Sequence, residues 1–272
     1  MLLDGKKLLI TGVLTPQSIA FGIAERAQKE GAQVVLPGFG RGLSLTERSA
    51  RRLDPVPQIL ELDVTNTEHF TRLTADLKEK MGRLDGAVHA IAYAPEDALG
   101  GNFLRTPWES AMTAFRVSTF SLKELAVAVA PLMDAGGAIV ALDFDNRVAW
   151  PVYDWMGVCK AGLEACVRYL ARDLGPQNIR VNALAAGPLL TLAAKSIPGF
   201  KPIETHWATQ APLGWSSRHG GDAVARTACA LLSDWFPSTT GEMVHVDGGY
   251  HAMGAPLAGR AGGEATADSP DP

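Results

Sequence analysis

The run Lys7-Leu8-Leu9-Ile10-Thr11-Gly12, continued by Val13-Leu14-Thr15-Pro16-Gln17-Ser18-Ile19-Ala20-Phe21-Gly22 and answered by Gln33-Val34-Val35-Leu36-Pro37, decides the fold. Lys7 to Thr11 has the continuous apolar character of a strand covered on both faces. Ser18 to Glu30 has helical periodicity, Gly31 ends it, and Gln33 to Pro37 is a second apolar run. Strand, glycine turn, helix and strand make a βαβ unit, whose two strands lie parallel.

The alternation continues along the chain. Further strands are expected at Gln58 to Leu62, Gly86 to Ile91, Ala138 to Leu142, Arg180 to Leu184 and Glu242 to Val246. Helices are expected at Leu43 to Leu53, Thr67 to Met81, Pro107 to Met133, Pro151 to Leu174 and Ala223 to Leu232. Right-handed crossovers then give an α/β fold, a single doubly wound Rossmann domain with a parallel sheet of about seven strands and helices on both faces. The domain is expected to occupy residues 1–252. Residues 253–272 lack aromatic residues and cannot offset their ordering entropy by burial, so they read as a disordered tail.

With 272 residues, 47% hydrophobic and 20% charged, the chain has enough apolar surface for one large core. A net charge of −4 without a Lys/Arg block argues against nucleic acid and anionic membranes as partners. No apolar run is long enough to span a bilayer, and no export signal is apparent. Three cysteines without CxxC spacing suit a reducing cytoplasm, and Cys159 and Cys166 read as small core residues. No histidine or cysteine cluster has metal-ligand spacing, so no metal is expected.

The turn after the first strand is not a GxGxxG. Gly12 and Gly22 serve a tight turn as well as a phosphate site, and Ser18 serves as a helix cap as well as a phosphate contact. Asp63 ends a strand, where a turn or cap is the ordinary role. Pro37-Gly38-Phe39-Gly40-Arg41 offers neither a ribose-binding acid nor paired basic residues for a 2′-phosphate, which favours NADH. Phe39 is placed to cover an adenine face.

After the fifth strand come Asp143-Phe144-Asp145 and then Tyr153, with Lys160 seven residues on. Two helical turns put Tyr153 and Lys160 on one face with Met156 between them. Any amphipathic helix could carry that pair. The spacing differs from the Tyr-x3-Lys of carbonyl-reducing short-chain dehydrogenases, because position 157 is Gly.

Several motifs together resemble the bacterial enoyl-[acyl-carrier-protein] reductases, a divergent short-chain dehydrogenase family, in their mycobacterial and enteric forms. They are Gly12-x5-Ser18-Ile19-Ala20, Leu62-Asp63-Val64, His89-Ala90-Ile91-Ala92, Tyr153-x6-Lys160, Gly187-Pro188-Leu189-Leu190-Thr191, and Thr240-Gly241-Glu242 with Asp247-Gly248-Gly249. The resemblance implies NADH-dependent reduction of the trans-2 double bond of an enoyl thioester, carried on acyl carrier protein or CoA, in a homotetramer. By the same resemblance Gly12, Ser18 and Ile19 form the phosphate loop, and Asp63 and Val64 hold the adenine. Ala90, Ile91 and Ala92 face the nicotinamide ribose, Gly187 and Leu189 clamp the carboxamide, and Thr191 meets the pyrophosphate. Tyr153 stabilises the enolate, Lys160 binds the ribose, Phe144 gates the site, and Tyr93 and Met156 meet the substrate. Leu190 departs from the pattern, where the family usually has Arg.

The segment Leu192 to Trp215 reads as a substrate lid that Pro198, Gly199, Pro202 and Pro212 cut into short pieces. Ile197, Phe200, Ile203 and Trp207 are available to line its channel. The segment is shorter than in long-chain mycobacterial members, so a medium acyl chain is expected. A carbonyl-reducing dehydrogenase and a non-catalytic, cofactor-sensing Rossmann protein are the alternatives.

Overall fold

The computed structural model describes residues 1–195, 197 and 200–255. The opening stretch forms β1 (Lys7–Ile10), α1 (Ile19–Lys29) and β2 (Gln33–Gly38). There follow α2 (Gly40–Ala50), β3 (Gln58–Glu61), α3 (Thr67–Met81) and β4 (Gly86–His89). Next come α4 (Trp108–Phe115), α5 (Ser121–Val129), β5 (Gly137–Asp143) and α6 (Asp154–Leu174). The chain continues with β6 (Ile179–Ala186), α7 (Leu192–Lys195), α8 (Phe200–Gln210), α9 (Gly221–Leu232) and β7 (Met243–Val246).

Every strand pairing is parallel, in the order β3-β2-β1-β4-β5-β6-β7. From β1 the chain builds outward to β3 and then returns to build from β4 to β7. The carboxyl ends of β1 and β4 therefore diverge at the switch point, where doubly wound sheets bind ligands. Alternation along each strand divides the core. Leu8, Ile10, Val34, Leu36 and Val140 pack on α1 and α9, and Leu9, Val35, Ala87, Ile139 and Val181 pack on α3, α5 and α6. Val167 of α6 is buried in this second layer, and Leu170 and Leu174 pack against it partly buried.

Three expectations need correction. The helix read across Pro107 to Met133 is interrupted by a π-helical turn at Arg116–Phe120. Hydroxyls seat that wide turn: Ser118 Oγ accepts from Tyr93 N–H and donates to the Tyr93 carbonyl, both at 2.9 Å, and Thr119 Oγ1 donates to the Cys159 carbonyl at 2.7 Å. Second, α6 begins at Asp154, three residues later than expected, because Val152 (φ 61°) and Asp154 (φ 43°) lie in the left-handed region. A branched side chain there is strained. The Asp154 carboxylate accepts from Gly101 and Asn102 N–H at 2.6 and 3.0 Å and holds the turn.

Third, Pro202 does not break the lid segment. It sits in the first turn of the 11-residue α8, where a helix has no N–H partner to lose. Ser196, Pro198 and Gly199 of the lid segment, and 256–272 of the expected tail, lie outside the described residues. Among the described residues no helix is long and apolar enough to cross a membrane.

Candidate active site

A cavity of about 840 Å³ runs along the carboxyl ends of the strands, within the usual range for ligand sites. Gly12, Ser18, Ile19, Phe39, Asp63, Val64, Ala90, Ile91, Ala92, Lys160, Gly187, Leu189 and Thr191 all line it. So do Phe144, Tyr153, Tyr93, Phe200 and Ile203. Met156 does not: it is buried with Leu99, Ala114 and Cys159 beneath α6. Lying between Tyr153 and Lys160 in sequence, it turns to the small core while they turn to the cleft.

The outer end is built from the β1–α1 and β2–α2 turns. Gly12 has φ +83°, and a Cβ there would lie 2.1 Å from the Ala90 carbonyl oxygen, so the β1 and β4 turns can approach this closely only through glycine. Gly22, by contrast, faces Ala225 of α9 and serves helix packing. Ser18 occupies the N-cap position of α1, yet its side chain makes no cap. Its Oγ instead accepts from Leu14 and Thr15 N–H at 3.3 and 2.9 Å. The N-terminus of α1, uncapped by any side chain, opens on the cavity and suits an anion. Asp63 Oδ1 accepts from Thr65 N–H and Oγ1 at 2.9 and 2.7 Å, so the ordinary turn role is filled. Phe39 is 47% exposed and meets the His69 ring edge-on, with 6.4 Å between centroids. His69 carried no signal in the sequence, because a lone histidine on a helix reads as surface.

The inner end is buried. Lys160 Nζ donates to the Leu142 carbonyl at 2.7 Å and lies 3.7 Å from Asp143 Oδ1. Burial lowers the lysine pKa, while the Asp143 charge opposes the drop. Asp143, which the sequence reading did not assign, ends β5 with its carboxyl pushed up to about 7, first by burial and against the attraction of Lys160. Burial also raises the Tyr153 phenol, with Asp143 adding to the effect. The Tyr153 hydroxyl has no hydrogen-bond partner among the described residues, though Phe144 packs on its ring at 5.3 Å. His89, below, bonds Ser121 Oγ at 2.7 Å and is held neutral by burial, its pKa lowered to about 3.

Over this end lies the lid segment. Ile197, Phe200 and Ile203 line the cavity, but Trp207 does not. It is 1% exposed, stacks on Tyr250 at 3.9 Å, packs on Phe144 and Trp150, and donates from Nε1 to the Asp247 carbonyl at 2.9 Å. Gly187 leaves room for Trp215, whose ring a Cβ would meet at 2.6 Å and whose Nε1 donates to the Pro188 carbonyl.

These residues can hold a dinucleotide with its anionic centre at α1 and its far end against Lys160. The uncapped helix, the close glycine turn and, at the inner end, the buried Lys160 ammonium with donors to spare all fit such a group. Among the described residues no group of His, Cys, Asp and Glu has the arrangement of a metal site.

The family model described as Enoyl-(Acyl carrier protein) reductase matches residues 12–251. The chain is 44% identical to the enoyl-[acyl-carrier-protein] reductase [NADH] of Mycolicibacterium smegmatis, over 91% of this chain and 97% of the relative. It is 42% identical to that of Mycobacterium avium, with the same coverage. With the enzyme of the same name from Bacillus subtilis the identity is 38%, over 92% of this chain and 97% of the relative.

Proposed function

The chain belongs to the enoyl-(acyl carrier protein) reductase family, and on that premise we propose how its cleft does the family's work. It is an NADH-dependent enoyl-[acyl-carrier-protein] reductase of fatty-acid synthesis, reducing the trans-2 double bond of its substrate. When bound, NADH would supply the hydride for the β-carbon, and the α-carbon would take its proton from water.

The observation that carries the residue roles is Tyr153, which lines the cleft together with Lys160 and whose hydroxyl has no hydrogen-bond partner among the described residues. As hydride arrives, charge collects on the thioester oxygen, and a hydrogen bond aimed there stabilises the transition state more than the ground state. Burial raises the Tyr153 pKa, so the phenol stays protonated at neutral pH and acts as a donor. Phe144 holds its ring and excludes water. Lys160 has donors beyond the one spent on Leu142, and these bind the nicotinamide ribose. Gly12, Ser18, Ile19 and Thr191 cradle the pyrophosphate, and Phe39, Asp63 and Val64 bind the adenine. Ala90, Ile91, Ala92, Gly187 and Leu189 flank the nicotinamide. Residues 192–215 form the lid, with Phe200, Ile203 and Tyr93 against the acyl chain.

The finer readings belong to the same proposal: the thioester is carried on acyl carrier protein or CoA, and the enzyme works in the cytoplasm as a homotetramer. Phe120, Val127 and Tyr169 are exposed, apolar and available to an interface. Trp207 is spent on the aromatic cluster, leaving a short apolar wall, and each methylene beyond its reach forgoes about 0.8 kcal/mol. Medium-length chains are therefore preferred. The test follows NADH absorbance with trans-2-enoyl thioesters from crotonyl to hexadecenoyl. kcat/KM is expected to level off near octenoyl, and NADH to outperform NADPH. A steady rise to the longest substrate with little activity at octenoyl overturns the chain-length reading.

A further inference from the structure

Asp143 is an acid placed where acids are costly. Its side chain has no exposed surface, it lines the cofactor cleft, and neither carboxylate oxygen has a hydrogen-bond partner among the described residues. Buried polar groups in folded proteins are nearly always satisfied, and an isolated buried charge is more costly still. The cation nearest to it, Lys160 Nζ, stands 3.7 Å from Oδ1, beyond a normal hydrogen bond but close enough for strong attraction in a dry site.

That ammonium is held by two consecutive residues of one strand: the Leu142 carbonyl at 2.7 Å and the Asp143 carboxylate beside it. The other titratable groups that act on Asp143 are Glu164 of α6 and Asp145 of its own loop, both anionic and both opposing its ionisation. Tyr153 is protonated, Cys159 has its thiol pushed up by burial to about 11, and His89 of β4 is neutral. Among the described residues Lys160 is thus the cation that acts on Asp143.

We propose that Asp143 is a positioning residue for the reduction: its carboxylate, with the Leu142 carbonyl, fixes the Lys160 ammonium so that the remaining N–H donors face the cofactor. The proposal rests on Lys160 binding NADH. A bound dinucleotide excludes water from the cleft, and an ammonium deprived of water needs a counter-charge to keep its proton. Asp143 supplies that charge as the carboxyl ionises.

The sign of the pH effect follows. Lys160 loses its charge as pH rises through its pKa, which burial lowers and the Asp143 anion raises. Removing the anion lets the lysine deprotonate at lower pH. The difference disappears in acid, where the Asp143 carboxyl, pushed up to about 7, is already neutral.

The test is the dissociation constant of NADH, read by fluorescence without substrate from about pH 6 to about pH 9, for the wild type, Asp143→Asn and Asp143→Glu. Thermal melts accompany each curve. D143N is expected to match the wild type at the acid end and to bind about tenfold more weakly at the alkaline end, one unit of displaced lysine pKa. D143E keeps the charge and is expected to follow the wild type. On a Lys160→Met background, which weakens NADH binding at every pH, adding D143N is expected to change nothing further. A D143N curve parallel to the wild type overturns the proposal, as does a D143E curve that follows D143N, or an equal D143N effect on the K160M background. Unaltered NADH binding by K160M itself removes Lys160 from the cofactor site, a separate failure.

Discussion

The two ends of the cleft are built on opposite terms. At the outer end Phe39 is 47% exposed, Asp63 bonds its own turn and Ser18 bonds its own loop, so the Asp63 and Ser18 side chains are satisfied without a ligand. At the inner end Lys160 and Asp143 are buried in a shared low-dielectric site, and both Asp143 oxygens and His89 Nδ1 lack hydrogen-bond partners among the described residues. The outer end is a finished surface on which a ligand rests. The inner end carries strained and unsatisfied groups, as expected where the fold places groups for chemistry above its own stability. Substitution of Tyr153 at the inner end should therefore affect turnover, while substitutions at the outer end should affect affinity or stability.

The contrast is most exposed at Tyr153. Replacing it with Phe removes the donor to the developing oxyanion, and kcat is expected to fall about 10²–10³-fold in steady-state assays while NADH affinity holds. An unchanged kcat would take Tyr153 out of the mechanism. Gly12→Ala comes next, because its Cβ meets the Ala90 carbonyl at 2.1 Å in a backbone region that favours glycine. Stability measured by denaturant is expected to drop by about 1–3 kcal/mol, with weaker NADH binding. Should Gly12→Ala leave both intact, the outer end is softer than its geometry implies. The smallest effect belongs to Phe39→Ala. Loss of one aromatic contact to the adenine weakens NADH binding by about 0.5–1.5 kcal/mol, with kcat and melting temperature unchanged. A fall in kcat here would mean that the two ends are coupled.

Legibility in the sequence followed the same division between local and non-local causes. The βαβ start and the spacing that puts Tyr153 and Lys160 two turns apart depend on periodicity within a few residues, and both are legible. The cavity itself is lined by residues at the strand ends, which face the switch point whatever their identity. What escaped depends on distant partners. The π-helical turn exists because hydroxyls at Ser118 and Thr119 reach Tyr93 and Cys159, from segments 25 and 40 residues away. Trp207 looked like a channel wall until Tyr250, Trp150 and Phe144 surrounded it. Met156 lies between Tyr153 and Lys160 in sequence, and its packing with Leu99 and Ala114 decides which side it takes. Asp143 carried one signal, an acid ending an apolar strand, though a strand-end acid is ordinarily solvated.

The anchoring of Trp207 has a mechanical consequence. The residue sits toward the far end of α8, stacked on Tyr250 and tied to the Asp247 carbonyl, while Phe200 and Ile203 at the near end border the cleft. Asp247 in turn binds Gly249 and His251 N–H at 2.8 and 2.9 Å, so the anchor point is braced by the turn after β7. Glu204, the residue after Ile203, accepts from Ser217 Oγ, so the helix is fastened at its middle as well as at Trp207 and stands as a braced wall beside the cleft.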